Sequence, residues 1–394
     1  MNSNWQTLQL KDVLDKKGYI RGPFGSALKR GELLDEGIPV YEQSNAINDD
    51  RFFRYFISEE KYNSLKRFTV KPNDLVISCS GTVGRVTLIK ENDPVGIISQ
   101  ALLILRPNDK IILPKFLYYF FLTARGHNSI LERSGGSVQV NIARREIIEA
   151  IQIDIPPIDV QKKIVNTLSK IDNKIHLNES INKQLLDICS LLYKETTKSS
   201  PFRKLGDIIK YLESGKRPKG GAEEIGVPSI GAEKIERIGI YDFSSEKFIS
   251  HEYFKTLKKG IVNSGDVLLY KDGAYTGKVS MALDGFPHKE CAVNEHVFIV
   301  RTENLLYQNF LYFTLADEIV RQKVYSLASS KAAQPGLNKQ ELLSVNARIP
   351  PVKQIELFCN KVAPIMHEII RNAFENKKLL EMRDLILPKL LFKQ

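Results

Sequence analysis

Residues 155–164 read IPPIDVQKKI, and residues 349–358 read IPPVKQIELF. Both stretches carry a proline doublet ahead of a long run of helix-forming residues, and they stand 194 positions apart in a chain of 394 residues. Proline fixes its own φ, pushes the preceding residue into an extended conformation and suits the first turn of a helix. Each doublet therefore predicts a stiff exit from a globular domain followed by the start of a helix.

The sequence around the doublets repeats as well. EKYNSLKRFTVKPNDLVIS at 60–78 matches EYFKTLKKGIVNSGDVLLY at 252–270, with an offset of 192. QVNIARREI at 139–147 matches QPGLNKQEL at 334–342, with an offset of 195. Offsets that drift by only a few residues indicate a duplicated unit with small insertions and deletions in its loops.

Each half begins with mixed strand and helix signals. DLVIS (74–78), GRVTLI (84–89) and ALLILRP (101–107) are short apolar runs bounded by Gly, Pro, Asn and Asp, which is typical of strands. PKFLYYFFLTARG (114–126) predicts an apolar helix that begins at a proline. The second half carries corresponding signals, so the first part of each half is predicted to be a compact α+β domain.

A long helix is predicted after each doublet, because apolar residues recur there in the steps of three and four that form a coiled-coil seam. Asn178 and Asn182 fill a gap near the first seam, and Pro364 is expected to kink the second helix or to loosen its first turns. The predicted seam residues are Ile164, Leu168, Ile171, Ile175, Ile181, Leu185, Ile188 and Leu192 in the first helix, and Ile355, Phe358, Val362, Ile365, Ile369, Ala373 and Leu380 in the second.

The composition is that of an ordinary globular protein with a basic surplus. Hydrophobic residues make up 43% and charged residues 26%, and the formal net charge is +11. A surplus of this size favours an acidic partner, of which nucleic acid is the commonest. No apolar run approaches the roughly 18 residues of a membrane helix, and the first residues lack a signal-peptide core. Four widely separated cysteines favour a reduced cytoplasmic setting, so we expect no membrane association and a cytoplasmic location.

Two mixed domains, each followed by a long helix that IPP introduces, resemble the specificity subunit of Type I restriction–modification systems. The resemblance covers the whole chain. It rests on the order and duplication of PFGSALK (23–29) with GIPVYEQSNA (37–46), PNDLVISCSGTVGR (72–85), the two IPP segments and the closing MRDLILPKLL (382–391).

The resemblance implies an α+β fold with two tandem target-recognition domains of mixed α/β structure. Each domain is followed by a long helix, and the two helices pack as an antiparallel coiled coil with pseudo-two-fold symmetry. The corresponding boundaries are 1–155 and 199–349 for the two domains, and 156–198 and 350–394 for the two spacer helices.

The same resemblance implies a subunit that catalyses nothing. Each target-recognition domain reads one half of a split, asymmetric site in double-stranded DNA, and partner subunits methylate adenine or cleave the DNA. The implied partners are two modification subunits and two restriction subunits. No cofactor is expected in this chain, whereas S-adenosylmethionine, ATP and Mg are expected on the partner subunits.

Candidate DNA contacts lie in three matched pairs of polar loops and in the segment YEQSNA (41–46). Glycine-rich basic loops at 23–32 and 214–224 suit phosphates, and CSGTVGRV (79–86) and KDGAYTGKV (271–279) follow strands and suit a groove. YEQSNA offers amides that could pair with adenine, and 134–140 and 328–336 precede helices. The alternatives are solvated polar loops and, for the strand-connecting loops, turns that need glycine, which can hold together with DNA contact. The candidates are Lys29, Arg30, Gln43, Asn45, Ser80, Thr82, Arg85, Ser134, Gln139, Lys216, Arg217, Lys219, Tyr275, Thr276, Lys278, Lys331 and Gln334.

Two further patterns are weak indications of other chemistry. KDGAYTGKV lacks the four-residue spacing between its glycines and the Ser or Thr after lysine that a P-loop needs. His288, Cys291 and His296 lack a fourth ligand nearby, so no metal site is expected. The sequence also carries no NPPY or DPPY methyltransferase motif. The alternatives that stay open are a methyltransferase or nuclease with cryptic motifs, and a non-catalytic coiled-coil scaffold that binds no DNA.

Overall fold

The computed structural model of the chain describes residues 5–24, 27–131, 141–218, 220–273, 275–329 and 336–392. The chain forms two compact units. The first comprises residues 1–172 and 380–394, and the second comprises residues 173–379. Among the described residues, no helix combines the length and apolar character that crossing a membrane requires.

The first unit holds three small sheets within its described residues. Strands β2, β8, β5 and β6 form an antiparallel sheet in that order, β4, β3 and β7 form a second in which β3 and β7 run parallel, and β1 pairs with β9. The strands are β1 (Gln6–Gln9), β2 (Leu14–Arg21), β3 (Ile38–Tyr41), β4 (Phe56–Ile57), β5 (Leu75–Ser78), β6 (Val86–Leu88), β7 (Ile97–Ile98), β8 (Leu102–Pro107) and β9 (Gln152–Ile155). The short helices are α1 (Gln43–Asn48), α2 (Glu59–Ser64), α3 (Pro114–Leu122), α4 (Ala124–Leu131) and α5 (Arg145–Glu149).

The second unit repeats these sheets strand for strand in its described residues. The orders are β11–β17–β14–β15, β13–β12–β16 and β10–β18. The strands are β10 (Phe202–Lys204), β11 (Ile209–Ser214), β12 (Val227–Ile230), β13 (Phe248–Ile249), β14 (Val267–Tyr270), β15 (Val279–Met281), β16 (Ala292–Val293), β17 (Val297–Thr302) and β18 (Asn346–Arg348). The short helices are α7 (His251–Thr256), α8 (Gln308–Ala316), α9 (Glu318–Ser329) and α10 (Lys339–Ser344). The two long helices are α6 (Ile158–Thr197) and α11 (Val352–Leu391).

A buried ion pair marks the repeat at the level of side chains. In the first unit, Arg106 on β8 donates two hydrogen bonds of 2.7 Å to the carboxylate of Asp74, just before β5. In the second unit, Arg301 on β17 binds Asp266 with bonds of 2.5 and 2.6 Å. Both aspartates are 1% exposed. The predicted duplication of an α+β domain is therefore confirmed.

The predicted helix that begins at a proline packs on the four-stranded sheet of the first unit. Helix α3 starts at Pro114, and its aromatic side chains Phe116 and Phe120 are buried in one cluster with Leu75 and Leu103 of the sheet. Apolar residues spaced three and four apart place these rings on one face of the helix. The predicted segment 114–126 is divided, because α3 ends at Leu122 and α4 follows from Ala124.

The seam of α6 differs from the predicted one in its second half. Ile164, Leu168, Ile171 and Ile175 are buried as predicted. The predicted continuation through Ile181, Leu185, Ile188 and Leu192 is wrong, since Ile188 is 48% exposed and the other three are half-buried. A regular helix keeps its phase after Ile175 and buries the positions three or four residues further on, whatever their polarity. The buried residues there are Asn178, Asn182, Leu186, Cys189 and Tyr193.

Helix α11 follows its predicted seam closely. The predicted seam residues from Ile355 to Ala373 are buried, except that Met366 takes the place of Ile365. The last predicted seam residue, Leu380, is half-buried. The helix assignment continues through Pro364, which is exposed. In the second unit, Tyr193 packs on Phe358 with ring centroids 6.0 Å apart, while Asn178 bonds to Glu375. As the residue number rises along α6, the number of the contacting residue on α11 falls, so the two helices run antiparallel there.

Candidate nucleic-acid interface

The loop that joins β5 to β6 is held by its own hydrogen bonds and directs two polar side chains outward. The Ser78 hydroxyl donates to the carbonyl of Thr82 at 2.5 Å and accepts from the backbone N–H of Arg85 at 3.0 Å. Gly84 has a φ of 83°, and a Cβ there would lie 3.1 Å from the His127 ring. The side chains of Thr82 and Arg85 are exposed on this fixed frame, whereas Ser80 is half-buried.

The loop that joins β14 to β15 has the same backbone plan with different side chains. Gly277 has a φ of 94° and donates its N–H to the carbonyl of Tyr270 at 2.8 Å. Tyr275 is 62% exposed, and the Lys278 ammonium lies 4.7 Å from the centre of its ring while also pairing with Glu236. Thr276 is buried, and its hydroxyl donates to the Gly273 carbonyl at 2.8 Å. Among the described residues of this loop, Tyr275 is thus the side chain most open to a partner.

Each of these two loops is paired with the edge of a second candidate segment. Ser80 forms a β-bridge with Asn141, and the N–H of Ile142 donates to the Cys79 carbonyl at 2.9 Å. In the second unit, Asp272 bridges Gly336 in the same way. The structure therefore brings the strand-connecting loop of each unit beside the end of the loop that precedes α5 or α10. The candidates Ser134, Gln139, Lys331 and Gln334 lie outside the described residues.

The glycine-rich basic loops also expose their cations. Lys29 and Arg30 are exposed at the start of a 3-10 helix, Arg30–Glu32, and the backbone N–H of Lys29 donates to the Glu32 carboxylate at 2.8 Å. Lys216 and Arg217 are exposed after β11, and the Tyr253 hydroxyl donates to the Lys216 carbonyl at 3.3 Å. Lys219 lies outside the described residues. Phosphate contact by these side chains stays a prediction.

The amides of the YEQSNA segment are placed differently from one another. Asn45 is 1% exposed; its amide donates to Asp50 at 3.0 Å and to the Phe52 carbonyl at 2.8 Å, and its oxygen accepts from the Glu42 N–H at 2.8 Å. These bonds hold the start of α1, so contact with adenine requires them to break. Gln43 is half-buried in the first turn of α1.

The candidate metal ligands His288, Cys291 and His296 are held by contacts within the protein. His288 lies 2.6 Å from Glu246, and His296 lies 2.7 Å from Asp272, while Cys291 is buried. Within the described ranges, no group of three His, Cys, Asp or Glu residues is placed to hold a metal ion. Burial raises the pKa of the Cys79 thiol to about 12 and that of Cys189 to about 11, so both stay protonated near neutral pH and are poor nucleophiles.

One basic surface was missed by the sequence reasoning. Two adjoining depressions of about 440 and 600 Å³ on the first unit share Tyr19, Arg67 and Arg145 in their walls. Dibasic pairs supply most of the cations: KK at 16–17, KR at 66–67 and RR at 144–145. These pairs were the available signal, but they lie on three separate segments that only the fold brings together. We call this surface the basic groove and define it by Lys16, Lys17, Arg21, Lys66, Arg67 and Arg144.

Comparison with known families gives two matches in tandem. The model of the family described as "Type I restriction modification DNA specificity domain" matches residues 2–187 and again residues 198–382. The two matched ranges cover nearly the whole chain and divide it as the internal repeat does.

Individual relatives match over similar lengths. The specificity subunit of the Type I restriction enzyme MjaIX from Methanocaldococcus jannaschii is 24% identical over 421 residues, which covers 99% of this chain and 93% of the relative. The specificity subunit of HindI from Haemophilus influenzae is 21% identical over 390 residues, covering 78% and 83%.

A solved structure shares the fold. The crystal structure of the S subunit of a Type I restriction–modification system from M. genitalium aligns with a TM-score of 0.54 at 18% identity, over 100% of this chain and 97% of that one. At this identity the likeness concerns the fold alone.

Proposed function

This chain belongs to the Type I restriction modification DNA specificity family, and from that premise we propose that each of its two units binds one half of a split, asymmetric DNA site. The first unit uses the loop between β5 and β6, and the second uses the loop between β14 and β15. Neighbouring basic residues bind the backbone phosphates, which fix position without reading sequence.

The single observation that carries the proposal is that the strand-connecting loops of the two units share a backbone conformation but present different side chains. Both loops follow a buried strand, use glycines with positive φ and are tied to the end of the segment before the next short helix. The first presents Thr82 and Arg85, and the second presents Tyr275. Base edges are distinguished by the hydrogen-bonding pattern of the side chains that reach them. Two unlike sets on one frame suit two unlike half-sites.

The remaining chemistry belongs to partners in this proposal. Two modification subunits bring S-adenosylmethionine and extrude the target adenine from the duplex. Two restriction subunits with ATP and Mg cleave DNA that lacks the methyl group. The chain itself supplies sequence selection only, and the complex works in the cytoplasm. The support in this chain is the pair of family domains.

Sequencing of methylated bases tests the proposal. The chain is expressed with its modification subunits in a host that lacks other adenine methylation, and the genome is read for methyladenine. The expected result is one motif made of two unlike half-sites separated by a fixed number of unspecified bases. A continuous motif, or methylation that persists unchanged when the chain is omitted, contradicts the proposal.

A further inference from the structure

We propose that helix α9 is a second base-reading element of the second unit, and that its exposed side chains Arg321, Gln322 and Tyr325 contact base edges of that unit's half-site. The ligand is the groove edge of base pairs in double-stranded DNA. This inference rests on the proposed function and adds to it three specificity-determining residues that lie outside the strand-connecting loop.

A cleft of about 420 Å³ lies between α9 and the loop that joins β14 to β15. Two of its aromatic side chains are open to solvent, since Tyr275 is 62% exposed and Tyr325 is 48% exposed. Tyrosine combines a large apolar ring with a polar tip, which suits a binding surface. The α9 cleft, as we call it, is defined by Tyr275, Lys278, Glu318, Arg321, Gln322 and Tyr325. It is continuous with the proposed DNA contact at Tyr275, so DNA bound there also reaches α9.

The sequence of α9 places the three proposed readers on the open surface of the helix. Val320 and Val324 stand four positions apart and are buried in the core of the unit. Arg321 and Tyr325 are also four positions apart, and Gln322 stands three positions before Tyr325, so the three side chains are neighbours on the helix surface. A helix fixed through its buried side holds such side chains more precisely than a loop does.

The loop and the helix are packed against each other at a glycine. Gly277 has a φ of 94°, and a Cβ there would lie 3.5 Å from Val324 and 3.6 Å from the Arg321 carbonyl oxygen. In the first unit, Gly84 of the strand-connecting loop lies against α4 in the same way, and its carbonyl oxygen is 3.1 Å from Nδ1 of His127. The loop and the helix are therefore in direct contact in each unit and present their exposed side chains together.

The repeat retains the buried positions of this helix and changes the exposed ones. Helices α4 and α9 begin 194 positions apart, and so do the helices before them, α3 and α8. Ile130 and Val324 thus correspond, and both are buried. The corresponding exposed pairs, with the first unit named first, are Asn128 with Gln322 and Leu131 with Tyr325. A shared frame with different exposed side chains is the pattern that two unlike half-sites require.

The three side chains have the chemistry of base readers. In the major groove an amide such as Gln322 matches adenine, a guanidinium such as Arg321 matches guanine, and an apolar ring can contact the methyl group of thymine. Gln322 donates to the Glu318 carboxylate at 3.0 Å, and Arg321 lies 4.0 Å from Glu318. Contacts of this kind between exposed residues one turn apart are weak, so base edges can replace them.

The test measures base preference in each half-site separately. The chain is assembled with its modification subunits and assayed on a library of duplexes, and the relative methylation of the library members is read by sequencing. Exchange of residues 199–349 with those of a relative identifies the half-site of the second unit. Gln322→Ala is expected to lower discrimination at one base pair of that half-site by roughly 5- to 150-fold, the value of one good base contact. Tyr325→Leu, which introduces the residue type of the first unit, is expected to relax preference at that half-site too.

Two further variants provide matched controls. Ile319→Ala removes a side chain that is 59% exposed on the same helix but does not line the α9 cleft, so both half-sites should stay unchanged. Asn128→Ala removes the corresponding exposed amide of the first unit and should leave the half-site of the second unit unchanged. Alanine favours a helix, and circular dichroism of each variant checks that the fold is retained.

The outcomes separate this inference from the proposed function. Relaxed preference confined to the half-site of the second unit supports α9 as a reader. Unchanged preference in both α9 variants, or methylation that falls equally at all sequences, overturns the inference while the two-part motif of the unmodified complex stands. A complex of the unmodified chain that methylates without a two-part motif overturns the proposed function itself.

Discussion

The Asn372 amide donates a hydrogen bond of 2.9 Å to the amide oxygen of Asn182 between the two long helices. The two side chains are 7% and 8% exposed. The Asn182 amide in turn donates to the Ile369 carbonyl at 3.1 Å. A buried amide without partners is costly, and this geometry satisfies the pair only when the helices are aligned as they are. The pair therefore favours one register of α6 against α11, as buried asparagines do in coiled coils.

Breaking this pair should cost stability that depends on both residues. We expect Asn182→Ala to lower the free energy of unfolding by about 1–3 kcal/mol, because it leaves the Asn372 amide buried and unpaired. The measurement is the urea midpoint of the full chain, followed by circular dichroism.

A double-mutant cycle provides the control. Asn372→Ala alone should cost a similar amount, and the double variant should cost less than the sum of the two. Additive losses would show that the two side chains do not act together. The exposed neighbour Lys183→Ala should leave the midpoint unchanged.

The strand-connecting loops should each govern one half-site. Arg85→Ala should relax base preference in one half-site by about 1–3 kcal/mol while leaving the other unchanged, because a base contact is local. Tyr275→Ala should affect the other half-site. Methylation by the complex with its modification subunits is measured on a library in which each half-site is varied separately. A change in both half-sites from Arg85→Ala would refute independent reading by the two units.

The long helices should set the number of bases between the half-sites. Seven residues inserted after Ile175 and seven after Asn376 keep the seam in phase, since the Asn376 amide donates to the Ile175 carbonyl at 3.4 Å. The insertion adds roughly 10 Å of helix. DNA rises about 3.4 Å per base pair, so the preferred gap should grow by up to ~3 base pairs. Methyladenine sequencing with the lengthened chain measures the gap. An unchanged gap in an active complex would rule out the helices as the spacer.

The pure chain should transfer no methyl group. Incubation with DNA and labelled S-adenosylmethionine should give no incorporation above that of heat-treated protein, and addition of the modification subunits should restore it. The reason is that the chain consists of two DNA-specificity domains and its sequence carries no NPPY or DPPY methyltransferase motif. Incorporation by the pure chain, lost on heating, would support the methyltransferase alternative.

Hydrophobic periodicity and the internal repeat predicted the fold well, because both are visible in the sequence without knowledge of tertiary contacts. A long helix follows each doublet as predicted, since α6 begins at Ile158 and α11 at Val352. The predicted seam beyond Ile175 was wrong because the prediction followed the next apolar residues, whereas the helix phase buries Asn178 and Asn182. The Asn178 NH2 group and both polar atoms of the Asn182 amide have partners on α11, and such pairing depends on tertiary contacts.

The candidate site was less predictable, since exposure and grouping arise only on folding. Arg85 and Tyr275 were predicted as contacts because their loops follow strands and carry glycines; both side chains are exposed, and DNA contact by them stays a prediction. Asn45 has the residue type of an adenine reader, but the structure commits its amide to the start of α1. The basic groove draws on β2, the 3-10 helix Lys66–Phe68 and the start of α5, so no single stretch of sequence reveals it.

The duplicated ion pairs, Asp74 with Arg106 and Asp266 with Arg301, have an evolutionary consequence. Each pair ties β5 to β8, or β14 to β17, from within the core and without help from the loops that follow. Substitutions at exposed loop positions usually change stability by less than about 0.5 kcal/mol. Loop residues can therefore drift while the scaffold remains intact. A lineage can acquire a new DNA preference in one unit while the other keeps its own.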